Sequence, residues 1–373
     1  MNNTKCNIFV DCHVFDTGFQ GTRTYIQGLY LELVKDKTKH FFLAANNIDN
    51  LRSIFGNQEN ITFIKYRFKG SFLRLLIEIP TLIFKNKIDF AHFQYRVPPF
   101  KLCKYIVTTH DVLFEDFPED FPKLNRIQSF LTYKISAKFS DIVFTVSEYS
   151  KNQIEKHLKI KNVIVMPNGV SDVFFEEYDK TIIQKQVLNQ HGILDYLIYI
   201  SRWEPRKNQH KLLKAFIDLE LFNDFSLVFI GDDTFKNKEY EVLYNKQNDT
   251  IKQKIFTFKK VDFAKMLLLL RGAKVAVYPS RAEGFGIPPL EAIAASIPTI
   301  CSNQTAMSDF KFLDEYLFDP NSKFEFNEKL INVLKNEDPE IEIKKEYIKQ
   351  HYNWEIAAKI YQKAIKKVID SLQ

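Results

Sequence analysis

Short runs of β-branched and aromatic residues alternate along the chain with longer stretches whose apolar positions recur at helical spacing. Strand-like runs fall at 7–11, 40–45, 63–66, 90–93, 105–109, 142–146 and 163–166. Helical periods cover 22–35 and 123–139, and Ser147 reads as the N-cap of another helix. Asn168-Gly169 then makes a turn, and 171–178 is irregular and acidic. A second series follows, with strands at 197–201, 226–231, 254–257, 275–278 and 299–302 and helices at 209–219, 262–271 and 288–295. The stretch 354–370 reads as an uncapped amphipathic helix with Ile356, Ile360, Tyr361, Ala364 and Val368 on one side. The pattern predicts an α/β chain of two Rossmann-like, doubly wound domains facing each other across a cleft, 1–178 and 179–354, with helix 355–373 packing back on the first. Such sheets bind ligands outside the carboxyl ends of their strands.

Composition narrows the class. A length of 373 residues suits two domains, and 45% hydrophobic with 26% charged residues excludes disorder. No apolar run approaches the ~18 residues of a membrane-spanning helix, and MNNTKCNIFVDC lacks a signal-peptide layout. Four scattered cysteines, Cys6, Cys12, Cys103 and Cys301, point to buried thiols in a reducing cytoplasm and to no structural zinc. A net charge of +6 is too small to indicate a nucleic-acid partner. Between Arg52 and Lys104, however, ten basic residues face only Glu59, Glu78 and Asp89. Within that stretch 65–87 mixes cationic and apolar residues as a membrane-surface segment does; the plainer reading is that 73–84 is a core-packed helix with basic edges.

The richest segment runs from Tyr278 to Glu291, Tyr-Pro-Ser-Arg-Ala-Glu-Gly-Phe-Gly-Ile-Pro-Pro-Leu-Glu. A strand end, a Gly-x-Gly loop and Pro-Pro at a helix start form an anion seat, with the helix dipole favouring phosphate by ~0.3–2 kcal/mol. Glu291 is expected in the first helical turn, within reach of ligand hydroxyls, and Glu283 on the loop. Complementing the helix dipole is the plainer role for either carboxylate. The segment from Arg202 to Asn208, Arg-Trp-Glu-Pro-Arg-Lys-Asn, leaves the first strand of the second series. Its cations suit a diphosphate, or else form a solvated turn. His110-Asp111 ends a first-domain strand, and Gly18–Gly21 follows the first strand without dinucleotide-binding spacing.

Taken together, Glu283-x7-Glu291, Arg202-x4-Lys207, His110-Asp111, Pro167-Asn168-Gly169-Val170 and Tyr278-Pro-Ser resemble glycosyltransferases of family 4, a retaining, nucleotide-sugar-dependent group with the two-domain GT-B fold. Ser201, Asn208 and Met307-Ser-Asp309 depart from the family's commonest residues without removing a charge. The resemblance implies an acceptor-binding first domain and a donor-binding second. It assigns Arg202 and Lys207 to the donor diphosphate, Glu291 to the ribose, and Glu283 to the transferred sugar. Amides of Phe285, Gly286 and Ile287 would meet sugar and phosphate, with His110 on the sugar and Gly21 near the phosphates. It implies no metal and no cofactor. The stretch after His110 is similar to mannosyltransferases of O-antigen and capsule, which favours GDP-mannose, with a UDP-sugar as the alternative. Implied partners are the donor, a glycan or lipid-linked acceptor and the inner membrane face, in a cytoplasmic, peripheral setting. A sugar-nucleotide epimerase or phosphorylase, and a non-catalytic nucleotide-sugar-binding subunit, are the competing readings.

Overall fold

The structure, a computed structural model, describes residues 5–16, 21–232, 237–336 and 338–371. The chain divides into two compact units, Met1–Gly169 with Asn353–Gln373, and Val170–Tyr352. Each unit is built on an all-parallel sheet. In the first, strands β1 (Cys6–Asp11), β2 (Lys39–Ala45), β3 (Ile61–Lys65), β4 (Phe90–Gln94), β5 (Lys104–Thr108), β6 (Ile142–Thr145) and β7 (Ile164–Val165) lie in the order β3-β2-β1-β4-β5-β6-β7. In the second, β8 (Tyr196–Ile200), β9 (Ser226–Ile230), β10 (Ile255–Phe258), β11 (Val275–Tyr278), β12 (Thr299–Ser302) and β13 (Leu317–Phe318) lie in the order β10-β9-β8-β11-β12-β13. Helices cover both faces of such sheets, so interior strands read as continuous apolar runs; every residue of β4 and β9 is buried. The order reverses between β1 and β4 in one unit and between β8 and β11 in the other, and these reversals are where ligand crevices form.

Several expected elements need correction. The terminal helix Trp354–Asp370 is capped, since Asn353 accepts from the amide of Ile356. Helices Ile48–Phe55, Lys180–His191, Lys323–Lys335 and Ile341–His351 and the short β13 were not anticipated. Residues 71–85 form one helix with a π segment, Arg74–Glu78, in its middle. It buries Ile79 and Ile83 but leaves Phe72 and Phe84 exposed, so it is not simply a core-packed helix with basic edges. All four cysteines are free; Cys12 and Cys301 are buried, whereas Cys6 and Cys103 are only half-buried.

The first unit is stitched by a buried polar chain. Tyr30 Oη lies 2.7 Å from His92 Nδ1 and 3.0 Å from Tyr361 Oη, and His92 Nε2 and Tyr25 Oη each lie 2.8 Å from Thr108 Oγ1. Helix Gly21–Leu33, the sheet and the terminal helix are thereby tied through groups that satisfy one another away from water. Trp354 is clamped between two glycines of the same unit: a Cβ on Gly28 would stand 2.0 Å from its indole, and one on Gly169 would stand 2.4 Å from its amide nitrogen. Gly28→Ala is therefore expected to cost about 1–3 kcal/mol by overpacking. Urea unfolding followed by indole fluorescence measures it, and an unchanged midpoint would contradict this packing.

Candidate active site

At the carboxyl end of β8 the backbone passes close to Gly231, where a Cβ would meet the Ser201 carbonyl oxygen at 1.8 Å; only glycine fits. A 3-10 turn, Pro205–Lys207, follows, and Asn208 takes the left-handed conformation at φ 56° before helix Gln209–Asp218. Lys207 thus lies in that turn, with Asn208 between it and the helix predicted over 209–219. Asparagine tolerates that conformation, and its Nδ2 donates to the Pro279 carbonyl at 2.8 Å. Tyr199 Oη donates to the Lys207 carbonyl at 2.7 Å and lies 2.9 Å from Ser280 Oγ, while the Arg281 amide donates to the Arg206 carbonyl at 2.7 Å. The rims of β8 and β11 are therefore laced together at the strand-order reversal.

Onto this frame the sequence places five alternating charges. Lys207 Nζ reaches Glu283 Oε1 at 2.5 Å, and Arg206 Nη1 lies 3.3 Å from Glu283 Oε2. Arg206 Nη2 lies 2.6 Å from Glu204 Oε2, and Arg202 Nη2 3.2 Å from Glu204 Oε1. Burial pushes the Glu283 carboxyl up, but Lys207 and Arg206 prevail and hold it below its usual range. Burial and the neighbouring Arg206 draw the Lys207 ammonium down, against the pull of Glu283 and Glu204. The Glu283 amide is fixed by Thr305 Oγ1 at 2.9 Å. Arg206 and Glu204 were not singled out from the sequence, although both stand inside the Arg202–Asn208 segment.

Beyond Glu283 the chain turns at Gly286, whose φ of 102° and proximity to Met307 and Phe310 exclude a side chain. Gly286 caps helix Ile287–Ala294, which carries Pro in its first turn. The amides of Phe285, Gly286 and Ile287 find no acceptor among the described residues, leaving an anion seat at the positive end of the helix. Phe285 is buried against Phe310 and Tyr352. The helix starts at Ile287, so Glu291 is its fifth residue and lies in the second turn, not the first. Burial pushes the Glu291 carboxyl up to about 7, and the Glu291 charge adds to burial in raising the Tyr278 phenol, whose buried hydroxyl lacks a hydrogen-bond partner.

His110 and Gly21 belong to the first unit. His110 follows β5, is buried, and lies edge-on to Tyr25 with ring centres 4.8 Å apart. Its Nε2 donates to Gln94 Oε1 at 2.6 Å, leaving Nδ1 as an acceptor. Burial holds it down at about 3, so the ring is neutral. Gln94, at the end of β4, is a further residue that sequence reasoning passed over. Gly21 opens helix Gly21–Leu33, and a Cβ there would meet nothing within 4 Å among the described residues. Gly18 lies outside the described residues.

Comparison with known proteins gives this arrangement its family. The pattern described as Glycosyl transferases group 1 matches residues 181–354, and that described as Glycosyltransferase Family 4 matches 19–173. The chain belongs to the family 4 glycosyltransferases and has the GT-B fold. It is 26% identical to O-antigen chain mannosyltransferase B of Escherichia coli, over 75% of this chain and 77% of that one. It superposes on a sucrose-phosphate synthase from Thermosynechococcus elongatus with TM-score 0.79 at 15% identity, covering 98% of this chain and 100% of that one. Anabaena HepE, solved in complex with UDP, gives TM-score 0.71 at 14% identity over 97% and 100% of the two chains.

Two predictions follow from the charges. Lys207→Met leaves the Glu283 carboxylate short of its nearest cation and is expected to cost about 3–5 kcal/mol, whereas Lys207→Met with Glu283→Gln costs far less; denaturant unfolding of the three chains tests it, and equal losses would refute the coupling. For Glu291 the folded value, about 7, lies above the ordinary 4.5. The native state then holds more protons between those values, so this contribution is complete below 4.5 and disappears as pH rises through 7. Glu291→Gln should flatten stability against pH between 4.5 and about 7 relative to the parent chain, as denaturant midpoints measured across that range would show.

Proposed function

We propose that this glycosyltransferase moves a hexose, mannose from GDP-mannose, to a glycan or lipid-linked glycan acceptor in surface polysaccharide synthesis, with retention of anomeric configuration. The observation that carries this reading is that Arg202, Lys207 and three open amides lie on the loops that follow β8 and β11, at the strand-order reversal of the second unit, with Glu283 held by Lys207. The name of the Escherichia coli relative supports mannose. A UDP-sugar is the second reading, favoured by the UDP in HepE.

In this reading Arg202 and Lys207 neutralise the departing diphosphate, which is the main electrostatic lever on the transition state. Glu291 accepts the ribose hydroxyls; Glu283 and the amides of Phe285, Gly286 and Ile287 hold sugar and phosphate. His110, neutral and accepting through Nδ1, takes a sugar hydroxyl, and Gly21 leaves room for the phosphates. As the donor's anomeric carbon–oxygen bond breaks, the acceptor hydroxyl attacks from the same face and its proton passes to the leaving phosphate. These groups meet the diphosphate charge without a metal ion or cofactor. The enzyme works on the cytoplasmic side, docking peripherally at the inner membrane face: Phe72, Leu73, Ile77 and Phe84 are exposed, with Lys65, Arg67, Lys69, Lys85 and Lys87 nearby in sequence. Among the described residues no helix is long and apolar enough to cross a membrane.

The test is thermal unfolding with GDP, UDP, GDP-mannose and UDP-sugars in the absence of added metal. A ligand at 100 times its Kd stabilises by about 2.7 kcal/mol, a shift of several degrees. The expected result is a shift with guanine nucleotides that Lys207→Ala and Glu291→Ala abolish. A shift with uridine nucleotides alone moves the donor class, and no shift with any of them defeats the transferase reading.

A further inference from the structure

The first unit has its own strand-order reversal, between β1 and β4, and a cavity of about 200 Å³ opens there. Asp11 and His13 line it from the end of β1, Gln94 and Arg96 from the end of β4, and Arg74 from the π segment of helix 71–85. Segments of π-helix are rare and concentrate where a side chain is redirected for use. Here the segment turns Arg74 and Glu78, both buried, towards the interior.

The donors and acceptors of this cavity do not balance. Asp11 is amply served: Oδ1 accepts from Tyr66 Oη at 3.0 Å and from the His13 amide at 3.3 Å, and Oδ2 lies 3.1 Å from His13 Nδ1. Burial would raise its carboxyl, yet His13, Arg74 and Tyr66 hold it down at about 2. Glu78 is also spent, its two oxygens taken by the amides of Arg67 at 2.6 Å and Phe68 at 3.1 Å. Arg74 is the group left over. Its side chain is 7% exposed, its only ion pair among the described residues is a long 3.7 Å approach to Asp11, and its Nε has no partner among them. A buried guanidinium with most of its donors unspent is costly unless an anion completes it. Arg96 adds a second cation, over the Tyr133 ring and without a carboxylate partner among the described residues. The cavity also adjoins the proposed sugar-contacting group, because Gln94 lines it and holds His110 at 2.6 Å.

We propose that this cavity seats an anionic group of the acceptor, a phosphate or a carboxylate, gripped by Arg74 and Arg96 beside the Asp11–His13 pair. The assignment rests on the transferase reading. About 200 Å³ is below the ~300 Å³ at which pockets for whole small molecules begin, so the cavity takes a head group and leaves the glycan outside.

The experiment uses the full chain carrying Lys207→Met with Glu283→Gln, which weakens the separate anion seat of the second unit without leaving a buried charge unpaired, and titrates it calorimetrically with inorganic pyrophosphate. Binding is expected to persist in that background and to weaken about tenfold or more on adding Arg96→Gln, and likewise Arg74→Lys, which keeps the charge but loses the planar fork. Arg96 is partly exposed, so its variant keeps the test alive should the Arg74 change disturb folding. No binding to that doubly substituted chain, or binding that neither added substitution weakens, overturns the proposal. Octyl diphosphate and glucuronic acid then separate the sources: tighter binding of the first assigns the phosphate of a lipid carrier, tighter binding of the second an acidic sugar. Failure of GDP and UDP to bind the unsubstituted chain would instead strike the transferase reading, and the two failures are distinct.

Discussion

The contact between Lys207 and Glu283 joins positions 76 residues apart and sets what surrounds it. Neither charge is tolerable alone at that depth, so the turn after β8 and the loop after β11 must fold to the same place. The neutral bonds around it, from Tyr199, Asn208 and the Arg281 amide, fix the two backbones. With the backbones fixed, the amides ahead of helix Ile287–Ala294 are held in position before any ligand arrives. Such preorganisation is what makes dipoles effective at a developing charge.

The two units handle polarity differently. The second gathers full charges of both signs at its strand ends. The first buries two histidines that stay neutral: burial holds His92 and His110 both at about 3, and each is engaged in hydrogen bonds.

Legibility in the sequence followed burial. Strands buried on both faces, such as β4 and β9, are unmistakable as apolar runs, and Gly-x-Gly-x-Pro-Pro marks its own turn. Helix Lys180–His191 escaped notice because it buries only Val187 and so has almost no apolar period. Helix 71–85 misleads for the opposite reason, since buried Arg74 and Glu78 sit where apolar residues would be expected. The turn holding Glu291 was misjudged because the helix begins at the residue after Gly286, whose cap conformation comes from packing against Met307 and Phe310. Charge partners were the least legible feature. Nothing near Gln94 in the chain announces His110, and nothing beside Glu204 announces that it ties Arg202 to Arg206.

The clamp on Trp354 bears on how the molecule is made. The first unit is not a continuous segment: its terminal helix arrives only after residues 170–352 have been added. During synthesis Gly28, Gly169 and the hydroxyl of Tyr30 wait with an empty groove until Trp354 and Tyr361 emerge. A nascent chain arrested inside the second unit lacks the helix that closes the first, so the first unit cannot close before the second has been synthesised.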